Sequence, residues 1–260
     1  MTPNLSLNDP AFVGVAGAGG AGYPDSLLTD ASGTVNSATI VSGAKLGSNC
    51  CSFVASSASA GQSINIPDNS ALDWSTGGSI AFWINPTELT DRRVLAKGSN
   101  SGWEALSETD NNKIRWRVKG ANDVVYTIEG TTALTDSTWW HIVGLYDPDG
   151  GAGSEGLISV YVNGVEENSD ENFSASGIKT NTDDVYLGSN SSPSQYFSGK
   201  LDDIGIFNYP ISQATIDDLY NSDTGATISS LSDHTGILAY YSCEEFTDSD
   251  ATLPNDATPA

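Results

Sequence analysis

Short runs in which apolar and polar residues alternate make up most of the sequence after residue 45. Among them are QSINIPD, GSIAFWINP, KIRWRVKG, WWHIVGLYD, LISVYVNG and GKLDDIGIFN. Alternation with a period of two, interrupted by Gly, Asn, Asp, Ser and Pro, is typical of antiparallel strands joined by turns. A succession of about ten such runs indicates two packed sheets. The sequence therefore predicts an all-β fold, a two-sheet antiparallel jelly-roll sandwich.

One stretch, residues 212–221, has a helical pattern instead. Ser212 is a suitable N-cap, and Ile216, Leu219 and Tyr220 fall on one helical face. We therefore expect a single short helix lying across the end of the sandwich.

The run from Trp139 to Asp147 is apolar at both odd and even positions, which favours a central strand with both faces covered. We expect Trp139 or Trp140 to anchor the core. Asn163 and Gly164, flanked by strand residues, predict a tight type I′ hairpin turn.

The composition changes along the 260 residues, although the length is compatible with one main domain. Residues 1–45 contain VGVAGAGGAG, whose glycines disfavour a regular buried element, so we interpret them as an N-terminal arm or long loop. Residues 46–225 carry the jelly-roll pattern. Residues 226–260 contain one further strand-like run, GILAYYSCEEF, which would complete the sandwich.

The formal net charge of -23 comes from 33 acidic and 10 basic residues. Such a charge disfavours nucleic acids and anionic membranes as partners. The sequence shows no basic and apolar leader, and no run near the roughly 20 apolar residues that span a bilayer. We therefore expect no nucleic-acid partner and no membrane insertion.

Several segments resemble, in order and spacing, the laminin G-like jelly rolls of the concanavalin A-like lectin and glucanase superfamily. The opening half is matched by AKLGSNCCSF, SINIPDNSALDW and GSIAFWINPTE, and the closing half by STWWHIVGLYDPDGG, GLISVYVNGVEE, DVYLGSNSS and FSGKLDDIGIFNYPISQATIDDLYN. The resemblance covers roughly residues 43–222 and implies the fold. It leaves the function open, because this sandwich carries lectins, glycosidases, lyases, adhesion modules and structural domains.

The resemblance also implies an unusual role for the C-terminal run. The family usually opens with a strand similar to ILAYYSCEEF, and here that strand stands at the other end of the chain. Either residues 237–246 fold back in cis, as in a circularly permuted domain, or they pair with a neighbouring copy in trans. Both arrangements place Cys243 near Cys50 or Cys51, and either of these is a candidate partner for a disulfide with Cys243.

Catalytic groups are not suggested by any pattern in the sequence. Glycosidases of this superfamily need paired carboxylates on one strand, whereas Glu244 and Glu245 would lie on opposite strand faces. His141 lies inside an apolar strand, where we expect a packed, hydrogen-bonded core residue, and His234 lies in a polar loop. We expect that the protein is not an enzyme.

The resemblance implies a calcium ion, held by Asp202 and Asp203 of the closing strand with Glu244 or Glu245. Calcium prefers several carboxylate and carbonyl oxygens. In the alternative interpretation Asp202 and Asp203 cap a turn or face solvent. A second candidate calcium site combines Asp147, Asp149, Asp183 and Asp184.

Seven of the ten basic residues lie between Arg92 and Lys119. A period of two places four of them on one strand face: Lys113, Arg115, Arg117 and Lys119. This basic stripe could bind an acidic glycan or the acidic flank of a neighbouring subunit. Alternatively it pairs within the chain, with Glu104 or Glu108 and with Glu129.

Residues in or beside turns are the candidates for contacting a glycan or a partner protein. They are Trp103, Tyr196, Phe197 and Asn190, which we expect to be exposed.

The sequence as a whole favours a non-catalytic, surface-displayed binding or structural module. We expect a viral (phage) capsid or tail decoration protein or an extracellular adhesive or filament subunit, located on a virion, outside the cell or on its surface. Its partners would be other structural subunits or a cell-surface glycan. The alternatives are a calcium-dependent carbohydrate-binding lectin and a polysaccharide lyase or hydrolase.

Overall fold

The computed structural model describes residues 38–243 except 58–59, 90–91, 100, 108–111, 152–154 and 192–194. Most of the predicted N-terminal arm and residues 244–260 lie outside the described residues. The predicted boundaries at 45 and 225 stay predictions, although a strand already begins at Thr39.

Sixteen strands and one α-helix form the described part of the chain. The strands are β1 (Thr39–Ser42), β2 (Asn49–Phe53), β3 (Ala55–Ser57), β4 (Ala60–Gly61), β5 (Ile64–Ile66), β6 (Gly78–Glu88), β7 (Arg93–Lys97), β8 (Trp103–Ser107), β9 (Ile114–Lys119), β10 (Val125–Glu129), β11 (Trp140–Asp147), β12 (Gly156–Val162), β13 (Val165–Phe173), β14 (Val185–Leu187), β15 (Ser198–Phe207) and β16 (Ile237–Tyr241). The helix is α1 (Gln213–Tyr220), and short 3₁₀ turns span Ser70–Asp73, Asn221–Asp223 and Ile228–Ser230.

Two antiparallel sheets make up the sandwich. The larger has eight strands in the order β1-β2-β15-β6-β11-β12-β13, with β16 also paired to β15. The smaller has six, in the order β10-β9-β8-β7-β14-β5, and β3 and β4 form a separate hairpin. The predicted all-β jelly-roll sandwich is confirmed.

The larger sheet is apolar on both faces, and β11 shows why. Its residues Ile142 and Tyr146 belong to the core between the sheets, whereas Val143 and Leu145 belong to a second apolar layer on the outer face. This confirms the prediction of a central strand.

Of the two predicted tryptophan anchors, Trp140 packs against the core between the sheets, but both Trp139 and Trp140 are only partly buried. Three other tryptophans fill the core instead: Trp74, Trp103 and Trp116. Gly144 makes room for one of them, since a Cβ there would lie 2.6 Å from Trp116.

Helix α1 covers the outer apolar layer. The Ser212 side chain caps it by accepting a hydrogen bond from the backbone N–H of Thr215 at 3.2 Å. Ile216 and Leu219 are buried in the same layer as Val143. The helix exists as predicted, but it packs on the outer face of the larger sheet rather than across the end of the sandwich, because that face is apolar.

The C-terminal strand β16 pairs antiparallel with β15 of the same chain, with Tyr241 opposite Ile204. The structure thus has the cis arrangement of the two that the sequence left open. Asn163 and Gly164 have φ values of 51° and 80°, as the predicted hairpin turn requires. No helix in the described ranges is long and apolar enough to cross a bilayer.

Candidate binding face on the six-stranded sheet

Strand β9 presents the basic stripe to solvent, as predicted. Burial alternates along the strand, so that Trp116 and Val118 point into the core while Arg115, Arg117 and Lys119 point outward. The outward side chains keep between 15% and 28% of their surface exposed, Lys113 included. We call the outer surface of the six-stranded sheet around this stripe the basic face.

Glu104 of β8 organises the centre of the basic face. It stands opposite Arg117 across the strand pair, and its side chain is only 1% exposed. The Arg117 Nη1 lies 3.2 Å from Glu104 Oε2, and the Arg93 Nε lies 3.6 Å from the same oxygen. A buried carboxylate shared in this way fixes the positions of two guanidinium groups.

Carboxylates at the rim contact the remaining cations of the stripe. Glu129 of β10 lies 3.6 Å from Lys113 Nζ and 3.5 Å from Arg115 Nη2. Asp123 contacts Lys119 at 3.2 Å and also contacts Lys179. The hydrogen bonds from these two lysines, chiefly Lys179, lower the pKa of Asp123. Pairing within the chain through Glu104 and Glu129 is therefore present, whereas Glu108 lies outside the described residues.

A row of paired residues crosses the basic face and ends at an aromatic side chain. Tyr186 of β14 stands opposite Ala96 of β7. Ala96 stands opposite Glu104 of β8, and Glu104 stands opposite Arg117 of β9. Tyr186 and Arg117 are thus three strand spacings apart, roughly 14 Å. Burial raises the pKa of Tyr186, and the charge of Asp184 adds to the effect. The row places a partly exposed phenol ring and a fixed guanidinium on one surface.

Sequence reasoning missed Tyr186, although its strand contained the signal. Val185 and Leu187 on either side are fully buried, so the period of two predicts that Tyr186 faces outward.

The residues predicted to be exposed for glycan or partner contact are buried, and that prediction of exposure is wrong. Trp103 is 0% exposed because it stacks on Trp74 at 4.7 Å and donates from Nε1 to the Leu72 carbonyl at 3.1 Å. Phe197 is 0%, Tyr196 8% and Asn190 2% exposed.

Asp202 and Asp203, the predicted calcium ligands, serve the chain's own structure. Asp202 Oδ2 accepts hydrogen bonds at 2.9 Å from the backbone N–H groups of Lys45 and Leu46. The oxygens of Asp203 accept from the Tyr240 hydroxyl at 2.6 Å and from the Ile228 N–H at 3.0 Å.

Burial raises the pKa of Asp203 to about 8, more than these hydrogen bonds lower it, and the charge of Asp202 adds to the rise. A carboxyl group that keeps its proton is poorly suited to bind calcium, which prefers ionised carboxylates. Glu244 and Glu245, the other predicted ligands, lie outside the described residues. The calcium ion implied by the resemblance is not tested by the structure, and the surroundings of these two carboxyls lead us to expect no calcium here.

The second predicted calcium site divides into two separate places. Asp147 closes a turn by accepting from the Asp149 N–H at 3.0 Å. Asp183 and Asp184 belong instead to a cluster around the fully buried Lys97, whose Nζ lies 2.9 Å from the Asp183 carbonyl. Among the residues that the structure describes, no three His, Cys, Asp or Glu side chains are grouped to hold a metal.

None of the three cysteines, all of which lie in the described part of the chain, forms a disulfide. The predicted disulfide is therefore not present, although the Cys243 thiol does lie against Cys51.

The two histidines lie apart from the basic face. His141 is buried against Trp83 at 5.1 Å, and its Nδ1 has no hydrogen-bond partner in the described ranges. The ring is thus packed as predicted, and the hydrogen bond that we expected for it is not made by Nδ1 within the described residues. Burial and the charge of Lys45 lower the pKa of His141 to about 3. His234 lies in the loop before β16.

Comparison with known proteins agrees with this architecture. The sequence profile of the concanavalin A-like lectin/glucanases superfamily matches residues 58–217. No curated protein sequence matches the chain.

Solved structures with a similar fold include binding domains of bacterial toxins. The binding domain of Paraclostridial Mosquitocidal Protein 1 is 19% identical with a TM-score of 0.55, over 71% of this chain and 45% of that one. The receptor binding domain of botulinum neurotoxin C/D mosaic serotype is 17% identical with a TM-score of 0.53, over 70% and 44%. The binding domain of botulinum neurotoxin serotype G is 19% identical with a TM-score of 0.50, over 76% and 49%. This chain spans about half the length of these structures, and the likeness establishes a shared fold.

Proposed function

The chain belongs to the concanavalin A-like lectin/glucanase superfamily, and on that premise we propose that it is a non-catalytic, surface-displayed module that binds an anionic glycan on its basic face. The observation that carries the proposal is the row from Tyr186 to Arg117, with Glu104 buried beneath it.

The chemistry of the row suits a sugar that carries carboxylate or sulfate groups. An aromatic ring offers an apolar surface to a sugar ring, and a guanidinium matches a planar carboxylate or a sulfate through paired hydrogen bonds. Because Glu104 already fixes Arg93 and Arg117, little side-chain freedom is lost when a ligand binds.

The charge distribution of the chain also favours this face. A chain of net charge -23 repels an anionic polymer over most of its surface, whereas four of its ten basic residues lie side by side on the basic face: Lys113, Arg115, Arg117 and Lys119. An anionic glycan would therefore be oriented toward the basic face. One of the toxin domains that share the fold is named a receptor binding domain, which is compatible with display on a surface.

Binding to an array of sulfated, carboxylated and neutral oligosaccharides tests the proposal. We expect signal for anionic members only, reduced about tenfold by Tyr186→Ala or Arg115→Gln, a loss of roughly 1.4 kcal/mol. Lys200→Gln is the matched control, because Lys200 lies on β15, away from the basic face, and contacts the Ser42 carbonyl. Equal binding by all three variants, or equal signal for neutral sugars, would reject the proposal.

A non-catalytic role is supported by the state of the buried titratable groups. His141 has its pKa lowered to about 3 by burial, so it is a poor proton acceptor at neutral pH. Asp203 is buried, and its two oxygens are occupied by hydrogen bonds from Tyr240 and Ile228 rather than presented to a substrate. Release of new reducing ends or unsaturated products from a panel of acidic polysaccharides would contradict this part of the proposal.

A second candidate is a structural subunit of a virion or filament, and the acidic edge strand β13 favours it. This strand ends the larger sheet and carries Glu166, Glu167 and Asp170. It offers a neighbouring copy the charge opposite to that of the basic face. Concentration-dependent growth in light scattering at low salt, lost at high salt and in Arg115→Gln, would support assembly over glycan binding.

A further inference from the structure

Strands β2 and β16 share one edge of β15, and their ends meet there. Cys51 of β2 stands opposite Leu201, and Tyr241 of β16 stands opposite Ile204, three residues farther along β15. Cys243 follows Tyr241 by two residues in the direction of Cys51. The topology therefore brings the last described residue of the chain beside a strand that lies near its beginning.

The two sulfur atoms occupy the same buried space. The Cys243 thiol lies against the thiol and the backbone of Cys51. Both residues belong to the core between the sheets, with exposures of 2% and 0%. Cys50 is adjacent in sequence but separate in space, because its thiol points to the Val41 carbonyl at 3.5 Å. Only one of the two neighbouring cysteines therefore faces Cys243.

We propose that Cys51 and Cys243 form a redox-dependent latch that ties the C-terminal strand β16 to β2. The oxidant is a low-molecular-weight disulfide such as oxidised glutathione. One protein thiolate attacks a glutathione sulfur and releases one reduced glutathione; the second protein thiolate then attacks the mixed disulfide and releases the other. Two thiols become one disulfide, and the two electrons and two protons leave in two molecules of reduced glutathione.

The latch controls whether β16 can leave its own sheet. In the reduced structure β16 is held by its ladder to β15 and by side chains such as Tyr240. The disulfide between Cys51 and Cys243 closes a loop that contains almost the whole sandwich. Strand β16 therefore cannot exchange into a second copy of the chain unless this bond is cleaved. Burial raises the pKa of the Cys243 thiol, and closure is therefore slow and starts from a frayed strand end.

The test uses the full chain, folded and incubated with oxidised glutathione, beside Cys50→Ala and Cys51→Ala. In the wild type the thiols titrated after denaturation should fall from three to one. In Cys50→Ala the two remaining thiols, those of Cys51 and Cys243, should both disappear from the titration on oxidation. Cys51→Ala should form no intrachain disulfide. Fragment ions that separate Cys50 from Cys51 in the wild type give the same assignment if either variant fails to fold.

A second measurement reports on the strand itself. Amide hydrogen exchange in residues 237–241 should become slower on oxidation and return to its starting rate on reduction. A Cys50–Cys243 disulfide, a disulfide between two copies, glutathione adducts alone, or unchanged exchange in β16 would each overturn the proposal.

Discussion

The Tyr240 hydroxyl donates a 2.6 Å hydrogen bond to Oδ1 of Asp203, and both residues are almost completely buried. Tyr240 lies in the C-terminal strand and Asp203 at an irregularity in β15, where its φ is 47°. The other oxygen of Asp203 accepts from Ile228, in the segment that leads to β16. One carboxyl thus fastens both the last strand and its connection to the larger sheet.

Tyr240→Phe should lower the free energy of unfolding by about 1–2 kcal/mol, because it leaves a buried carboxyl oxygen without its donor. Tyr161→Phe is the matched control: Tyr161 is buried in the same outer layer, and its hydroxyl makes no hydrogen bond to the residues described. Urea unfolding measures both. Equal losses in the two variants would show that the hydrogen bond contributes nothing.

Stability should fall as the pH rises from about 4 to about 8, with Asp203 as one cause. In the folded chain the Asp203 carboxyl has a pKa of about 8, whereas in the unfolded chain the same carboxyl loses its proton near pH 3.8. The folded state therefore binds more protons between these values, and the free energy of unfolding decreases with pH. Asp203→Asn should flatten this part of the pH profile, measured by urea unfolding at several pH values. An unchanged slope would contradict the assignment.

Lys97→Met should destabilise the protein by about 3 kcal/mol. The Lys97 ammonium is 0% exposed and lies 2.6 Å from Asp68 Oδ1 and 3.6 Å from Asp73 Oδ1, so its removal leaves these carboxylates close together without a cation. Lys119→Met, whose partner Asp123 is exposed, should cost less than about 1 kcal/mol. Thermal and urea unfolding compare the two, and similar losses would show that burial of the ammonium is unimportant.

The alternating strands were predictable because the period of two is a local property. In β9 and β14 the buried and exposed positions follow directly from the sequence. The same locality explains the failures. Trp103 follows a turn in a polar context, and its burial depends on Trp74, a residue from a different part of the chain. The partners of Lys97 lie 29 and 86 residues away.

The ambiguity of the C-terminal run had a similar origin. Sequence similarity indicated which strand GILAYYSCEEF replaces, but pairing in cis or in trans produces the same local pattern. In the structure of the single chain, Tyr241 stands opposite Ile204 of the same chain, which is the cis arrangement. The choice between Cys50 and Cys51 likewise required the strand faces, since adjacent residues point in opposite directions.

Calcium should not raise the melting temperature through Asp202 and Asp203. Oδ2 of Asp202 already accepts from the backbone N–H groups of Lys45 and Leu46, and the two oxygens of Asp203 accept from Tyr240 and Ile228. Melting curves in millimolar calcium and in a chelator should coincide for the wild type and for Asp202→Asn. A rise in melting temperature with calcium in the wild type that Asp202→Asn abolishes would restore the calcium site.

Glu104→Gln and Glu129→Gln should change glycan binding in opposite directions, although each removes one negative charge from the basic face. Glu129 is partly exposed, so its loss strengthens the attraction for an anionic ligand at little cost in stability. Glu104 is buried beneath Arg93 and Arg117, and its loss frees both guanidinium groups while removing about 3 kcal/mol of stability. Binding to a sulfated oligosaccharide, measured by calorimetry at a temperature where both variants are folded, should be tighter in Glu129→Gln and weaker in Glu104→Gln. Tighter binding in both would mean that charge alone governs recognition and that the fixed arginine geometry has no part in it.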